Sequence, residues 1–86
     1  MSEAESIAVI GAGSYGTALA IQVARQGQPV RLWGRNAEAI QQMAEERLNA
    51  RYLPGCPLPE TLQPVADLAA ALQGATAVIV AVPSHA

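Results

Sequence analysis

The sequence predicts an α/β domain in which short strands alternate with helices and pair in parallel. Three short runs are rich in apolar, β-favouring residues, as strands are when helices cover both faces of a sheet. The segments between these runs contain apolar residues at helical spacing. Right-handed crossovers through such helices make the strands parallel. We therefore expect part of a doubly wound parallel sheet, with its first three strands at 7–10, 30–33 and 77–82.

The first half of the chain predicts two strand–helix units. A helix from about 14 to 26 follows the first strand, and Gly27 is the residue type expected just after its end. The second strand leads to Asn36, a residue that favours the N-cap of a helix. The helix after it is expected to be amphipathic, because apolar residues recur every three or four positions on one face. That face consists of Ala37, Ile40, Ala44 and Leu48.

Residues 49–64 contain four prolines and one glycine. Proline lacks an N–H group, so this segment is not expected to form a regular helix or a central strand. We predict a long connection, which is either a functional excursion or a surface linker. A short helix is then expected to begin near Asp67, before the third strand. Its predicted inner face is Leu68, Ala71, Leu72 and Ala75.

Composition restricts the class of protein. The chain has 86 residues, of which 51% are hydrophobic and 14% charged, with a formal net charge of −2. This is typical of one small globular domain and gives no electrostatic attraction to nucleic acid or to an anionic membrane. No apolar run is long enough to span a membrane. The single cysteine, Cys56, cannot form an internal disulfide, and we expect a cytoplasmic location.

The end of the chain is also informative. Only four residues follow the predicted strand 77–82. A protein rarely stops directly after a central strand, so we expect residues 1–86 to be the amino-terminal part of a longer protein whose other domain is absent here.

The first strand runs directly into the motif Gly11-x-Gly13-x-x-Gly16. Gly11 suits the tight turn after the strand, Gly13 allows a phosphate to approach the main chain, and Gly16 allows the helix to pack closely on the sheet. A strand before the motif and a helix after it are typical of a Rossmann-type dinucleotide site, in which the diphosphate lies at the helix N-terminus. The sequence therefore predicts a bound dinucleotide at this turn.

Two side chains inside the motif are further candidates. The N–H groups of Ser14 and Tyr15 are expected to face the phosphates, and the Ser14 hydroxyl adds a donor. Ser14 is also a residue type that caps helices, and both roles are compatible. Tyr15 has two open interpretations: it lies along the cofactor, or it packs on the next loop.

Arg35 lies just beyond the second strand, where an acidic residue would bind the ribose hydroxyls of NAD. No Asp or Glu occurs at this point, and the guanidinium of Arg35 matches a phosphate. NADP(H) is therefore expected to bind at least as well as NAD(H), and FAD is disfavoured. The alternative is a solvated arginine at a helix start, which the helix dipole disfavours.

Other polar residues have weaker assignments. Residues 49–55 either cover the adenine side of the site or form only a helix end and loop; for Arg51 and Tyr52 individually the second interpretation is favoured. His85 is a possible acid or base, although a loop that contacts the cofactor through its backbone is preferred. We interpret Trp33 as a packing residue and Cys56 as incidental. A solvated helix face is expected for Glu45, Glu46 and Arg47.

Four segments together closely resemble the bacterial NAD(P)-dependent glycerol-3-phosphate dehydrogenases: GAGSYGTALA at 11–20, LWGR at 32–35, NARYLPG at 49–55 and VAVPSHA at 80–86. The resemblance implies an enzyme that interconverts dihydroxyacetone phosphate and sn-glycerol 3-phosphate for glycerophospholipid synthesis. It also implies that Ser14, Tyr15 and Arg35 contact NADPH.

The resemblance places the catalytic lysine and the substrate-phosphate residues beyond Ala86, and this chain contains no lysine. The chain alone is therefore expected to bind part of the cofactor without catalysing the reaction. Its expected partner is a phosphorylated triose or glycerol, bound through another domain, with a homodimer possible in the full-length protein. Two alternatives remain: another NADP-dependent reductase, similar to the ketopantoate reductases, or a non-catalytic NAD(P)-sensing module.

Overall fold

The computed structural model describes residues 6–50 and 55–81, and these form a parallel sheet covered by helices. The sheet has the strand order β3-β2-β1-β4, and every pair of neighbouring strands is parallel. This confirms the predicted α/β class. The elements in chain order are β1 Ile7–Ile10, α1 Ser14–Arg25, β2 Val30–Trp33, α2 Ala37–Glu46, β3 Leu62–Val65, α3 Leu68–Leu72 and β4 Ala77–Val80.

The prediction of three strands was wrong, because the proline-rich segment contains the strand β3 at its end. Pro64 belongs to this strand and pairs with Leu32 of β2. Proline is tolerated there because β3 lies at the edge of the sheet, where the missing N–H can face away from the neighbouring strand. The prolines therefore exclude a central strand, as expected, without excluding an edge strand.

The core lies between the sheet and the helices α1 and α2. Val9 of β1 and Leu32 of β2 are paired in register, and both side chains are completely buried. Ile21 of α1 and Ile40 of α2 belong to the same buried cluster. On the other face, Arg31 donates hydrogen bonds to the carbonyl oxygens of Ala70, at 3.1 Å, and of Gln73. Because side chains alternate between the faces of a strand, helices pack on both faces of the sheet.

The helices begin at the residues that the sequence indicates, whereas α2 and α3 end at Glu46 and Leu72, before Leu48 and Ala75 of their predicted faces. Asn36 is the N-cap of α2, and its Oδ1 accepts a hydrogen bond from the N–H of Ala39 at 3.1 Å. Asp67 caps α3 in the same way. Gly27 follows α1 with a φ of 92°. Local signals therefore predict the starts of α2 and α3 and the turn after α1. In the part of the chain that the structure describes, no helix has the length and apolarity needed to cross a membrane.

Two predicted buried surfaces are exposed. On α3 only Ala71 is buried, whereas Leu68 and Leu72 remain 41% and 39% exposed. On β4, Val78 and Val80 are 50% and 65% exposed. The reason is that β4 pairs only with β1 at the second edge of the sheet, whereas α3, on the face of Val78 and Val80, packs mainly on β2 and β3. The strand also ends at Val80 rather than at residue 82, which lies outside the described residues.

Candidate cofactor site at the end of the first strand

The turn between β1 and α1 is fixed to the neighbouring strand. Gly11 has a φ of 119°, in a region that residues with a side chain rarely adopt. Its N–H donates to the carbonyl oxygen of Trp33, the last residue of β2, with an N–O distance of 2.7 Å. The chain can therefore turn away from the sheet at this point while it stays bonded to the sheet.

Gly16 is required by the close approach of α1 to this turn. A Cβ on Gly16 would lie 1.8 Å from the carbonyl oxygen of Gly11 and 3.3 Å from the Cβ of Ala81. The first of these distances is far inside van der Waals contact, and the atom concerned belongs to the backbone. The helix could not keep its position with any other residue at 16.

Gly13 differs from the other two glycines of the motif. Its φ of −76° is accessible to any residue, and a Cβ added there would meet no atom within 4 Å. Neither backbone conformation nor packing within the described residues explains the glycine. Gly13 is also the N-cap of α1, with no side-chain hydrogen bond, so the alternative that Ser14 caps the helix was wrong. The absent side chain at Gly13 leaves space on the outer side of the turn, where a ligand can approach.

The turn presents unpaired backbone donors. Across the described ranges, no backbone or side-chain acceptor bonds the N–H groups of residues 12–16, and the first paired amide is that of Thr17, which donates to Gly13 at 2.9 Å. The first turn of α1 contains no acidic side chain. Free N–H groups and the positive end of the helix dipole together favour a bound anion.

The two predicted contact side chains of this turn are accessible. Ser14 is exposed, and the Tyr15 side chain is 70% exposed. Neither side chain is buried by a described loop, and residues 82–86, which include His85, lie outside the described residues. Both side chains are therefore free to contact a ligand at the helix N-terminus.

Arg35 lies at the same edge of the sheet as the glycine turn. The residue before it, Gly34, is buried, and a Cβ there would lie 2.9 Å from the Cβ of Ala12 and 2.9 Å from the Cδ1 of Ile40. The end of β2 thus packs directly on the turn. Arg35 itself is exposed, and among the residues described here its guanidinium has no hydrogen-bond or ion-pair partner. A cation directly before the N-cap of α2 is electrostatically unfavourable unless an anion lies nearby.

Two residues for which the sequence alone predicts no individual role, Asn49 and Thr17, contact the turn from inside. Asn49 is 5% exposed and Thr17 is completely buried. The Nδ2 of Asn49 donates to the carbonyl oxygen of Ala12 at 3.1 Å and to the Oγ1 of Thr17 at 2.8 Å. Both residues lie in segments that the sequence marks, 11–20 and 49–55, but nothing local in the sequence joins one residue to the other.

The remaining candidates have structural roles where the structure describes them. The indole Nε1 of Trp33 donates to the carbonyl oxygen of Ala66 at 3.0 Å. Arg47 does not belong to a solvated helix face: it ends α2 with a φ of 54°, and its Nη2 donates to the carbonyl oxygens of Pro59 and Leu62 at 2.7 and 2.8 Å. Cys56 is half-buried against the core. Arg51 and Tyr52 lie outside the described residues.

A parallel sheet with a glycine turn after its first strand and free amides at the following helix defines the class of dinucleotide-binding Rossmann-type domains. Comparison with known proteins identifies the family within this class. The family profile "NAD-dependent glycerol-3-phosphate dehydrogenase N-terminus" matches residues 6–86. The chain belongs to this family of amino-terminal, NAD-binding domains.

Individual relatives agree with the family profile. A glycerol-3-phosphate dehydrogenase [NAD(P)+] from Thioalkalivibrio sulfidiphilus is 58% identical over 80 residues, which are 93% of this chain and 24% of the relative. The protein of the same name from Stenotrophomonas maltophilia is 52% identical over 83 residues, which are 96% of this chain and 24% of the relative.

A solved structure is similar over the same region. The crystal structure of glycerol-3-phosphate dehydrogenase from Coxiella burnetii matches with a TM-score of 0.91 and 49% identity, over 94% of this chain and 25% of that protein. This chain therefore spans about a quarter of the length of the relatives that it matches.

Proposed function

We propose that this chain forms the cofactor half of an NAD(P)-dependent dehydrogenase that interconverts dihydroxyacetone phosphate and sn-glycerol 3-phosphate for glycerophospholipid synthesis. The observation that carries the proposal is the row of unpaired N–H groups at residues 12–16, beside a glycine at 13 whose side-chain position is open. Membership of the family supplies the reaction, because the relatives are named glycerol-3-phosphate dehydrogenases.

The diphosphate of the cofactor would lie against the turn. Free amides of the turn donate to its oxygens, and the positive end of the α1 dipole adds a favourable field. The Ser14 hydroxyl supplies a further donor. The proposed binding residues here are Gly11, Gly13, Ser14, Tyr15 and Gly16.

Arg35 would distinguish the two nicotinamide cofactors. The segment from Trp33 to Asn36 contains no carboxylate that would accept hydrogen bonds from the ribose and repel a 2′-phosphate. The planar guanidinium of Arg35 can donate two parallel hydrogen bonds to a phosphate. We therefore expect the site to accept NADP(H) as well as NAD(H).

The part of the mechanism that belongs to this chain is binding and orientation. When bound, the nicotinamide supplies hydride exchange at its C4 position. The turn and Arg35 would fix the diphosphate and the adenosine ribose, and this fixes where the nicotinamide end can lie. The proton transfer and the binding of the phosphorylated triose would be carried out by residues of the further domain that the longer relatives contain.

A cytoplasmic location and a homodimer belong to the same proposal. The absence of a possible internal disulfide supports the first, since the chain has one cysteine. The resemblance to the dehydrogenases supports the second. Light scattering on the full-length protein, with an expected mass of two subunits, tests the dimer.

Steady-state oxidation of NADPH by the full-length protein tests the reaction. Oxidation that depends on dihydroxyacetone phosphate is the expected result, with ketopantoate as the control substrate. Oxidation with ketopantoate alone would support the reductase alternative. Tight binding of NADPH without oxidation of either substrate would support a non-catalytic sensing module.

A further inference from the structure

A buried polar cluster lies under the glycine turn. It consists of the side chains of Asn49 and Thr17 and the carbonyl oxygen of Ala12. Asn49 donates to Ala12 at 3.1 Å and to Thr17 at 2.8 Å, and the hydroxyl of Thr17 donates to Ala12 at 3.3 Å. A single amide nitrogen has two N–H groups, so Asn49 can make both bonds at once. Two side chains from different elements thus converge on one backbone oxygen.

The cluster determines the direction of the next amide. The structure contains no cis peptide bond among the described residues. In a trans peptide the C=O of one residue and the N–H of the next point in opposite directions. Because the oxygen of Ala12 is held toward the buried Asn49, the N–H of Gly13 is directed away from the core, toward the exposed side of the turn.

Without these bonds the peptide between Ala12 and Gly13 would have an alternative. Glycine adopts both signs of φ, so this peptide could rotate and present the carbonyl oxygen of Ala12 at the outer face. An oxygen there would repel a phosphate. The two donors to Ala12 oppose the rotation, since it would leave the buried amide of Asn49 with one fewer partner.

We propose that Asn49, supported by Thr17, is a positioning residue that presets the glycine turn for the cofactor diphosphate by holding the carbonyl oxygen of Ala12 inward. The inference rests on the proposed function, because it assigns a role within the same site. Asn49 follows α2 by three residues, so it couples the end of α2 to the turn after β1.

The substitution Asn49→Asp tests the proposal with almost no change in side-chain volume. An ionised carboxylate accepts hydrogen bonds and cannot donate one to Ala12. Thr17→Val removes the hydroxyl at nearly constant shape, and Thr17→Ser is its matched control because it keeps the hydroxyl.

Binding of two ligands distinguishes an effect at the diphosphate site from an effect elsewhere in the domain. ADP-ribose contains the diphosphate, whereas 2′-AMP contains adenine and a ribose phosphate without it. Binding of each is measured by calorimetry to the full-length protein. Asn49→Asp is expected to lower the affinity for ADP-ribose by about tenfold. Its affinity for 2′-AMP is expected to stay within about twofold of that of the unchanged protein. Thr17→Val is expected to lower the affinity for ADP-ribose, whereas Thr17→Ser is expected to keep it.

The ADP-ribose and 2′-AMP affinities of the variants decide whether Asn49 positions the turn. Equal losses for both ligands, or unchanged ADP-ribose affinity in folded Asn49→Asp, would overturn the positioning role. If Asn49→Asp does not fold, the pair at position 17 decides, and equal ADP-ribose affinities of Thr17→Val and Thr17→Ser would overturn it. Failure of the unchanged protein to bind ADP-ribose would instead contradict the proposed function.

Discussion

The carbonyl oxygen of Gly11 lies 1.8 Å from the position that a Cβ on Gly16 would occupy. At Gly13, three residues earlier, a Cβ would meet no atom within 4 Å. Two glycines of one motif are therefore present for different reasons. Gly16 is needed for the fold itself, whereas Gly13, the N-cap of α1, leaves open space for a group that approaches from outside. This difference separates the effects of substitution on stability from those on cofactor binding.

Gly16→Ala is expected to destabilise the domain by about 3 kcal/mol, because a backbone atom must move to admit the methyl group. Amide hydrogen exchange of β1 and α1 in the full-length protein measures this local effect. Gly13→Ala is the matched control. It is expected to lower the free energy of local opening, measured by the same exchange, by less than about 1 kcal/mol, because its φ and its surroundings accept a methyl group and only the weaker N-cap preference of alanine opposes it. Similar destabilisation by both changes would contradict the distinction.

Arg35→Asp is expected to weaken NADPH far more than NADH, by at least about tenfold in the ratio of the two dissociation constants. The carboxylate would repel the 2′-phosphate while it accepts hydrogen bonds from the ribose hydroxyls of NADH. Fluorescence titration of the full-length protein with each cofactor measures the ratio. Equal losses for the two cofactors would show that Arg35 does not contact the 2′-phosphate.

Gly34→Ala is expected to destabilise the contact between the end of β2 and the glycine turn by about 1–3 kcal/mol, since the new methyl group would overlap Ala12 and Ile40. Ile40→Val removes the Cδ1 atom that lies 2.9 Å from the added Cβ. The free energy of unfolding lost in the double variant should therefore be smaller than the sum of the losses in the two single variants, by about 0.5 kcal/mol or more. Strict additivity in urea denaturation would argue against this contact.

Asn36→Ala is expected to cost about 1 kcal/mol, because the N–H of Ala39 loses its side-chain acceptor. Asn36→Asp keeps an acceptor oxygen at the helix N-terminus and serves as the control. Hydrogen exchange in the first turn of α2 should become faster in Asn36→Ala and stay close to the original rate in Asn36→Asp. Unchanged exchange in the alanine variant would rule out a capping role.

The parts of the fold that were predictable depend on local signals. Asn36 and Asp67 cap the helices expected from them, and Gly27 follows α1, because each interaction joins residues close together in sequence. The strand β3 was missed because its tolerance of Pro64 depends on an edge position, which only the assembled sheet defines.

In the candidate site, too, only the features that depend on local sequence were predictable. The glycine motif and Arg35 were identifiable from their positions relative to two strands. The role of Asn49 was not, because it contacts Ala12 and Thr17, 37 and 32 residues away in sequence. Residue type alone did not distinguish Asn49 from a loop asparagine.

The central claim, that the glycine turn of this chain binds the cofactor diphosphate, is tested most directly by titrating the full-length protein and its Gly13→Ala variant with NADPH. The expected result is a loss of affinity of at least about tenfold in a variant that remains folded, because the methyl group would occupy the space through which the diphosphate approaches. A folded Gly13→Ala variant that binds NADPH as tightly as the original protein would contradict the claim.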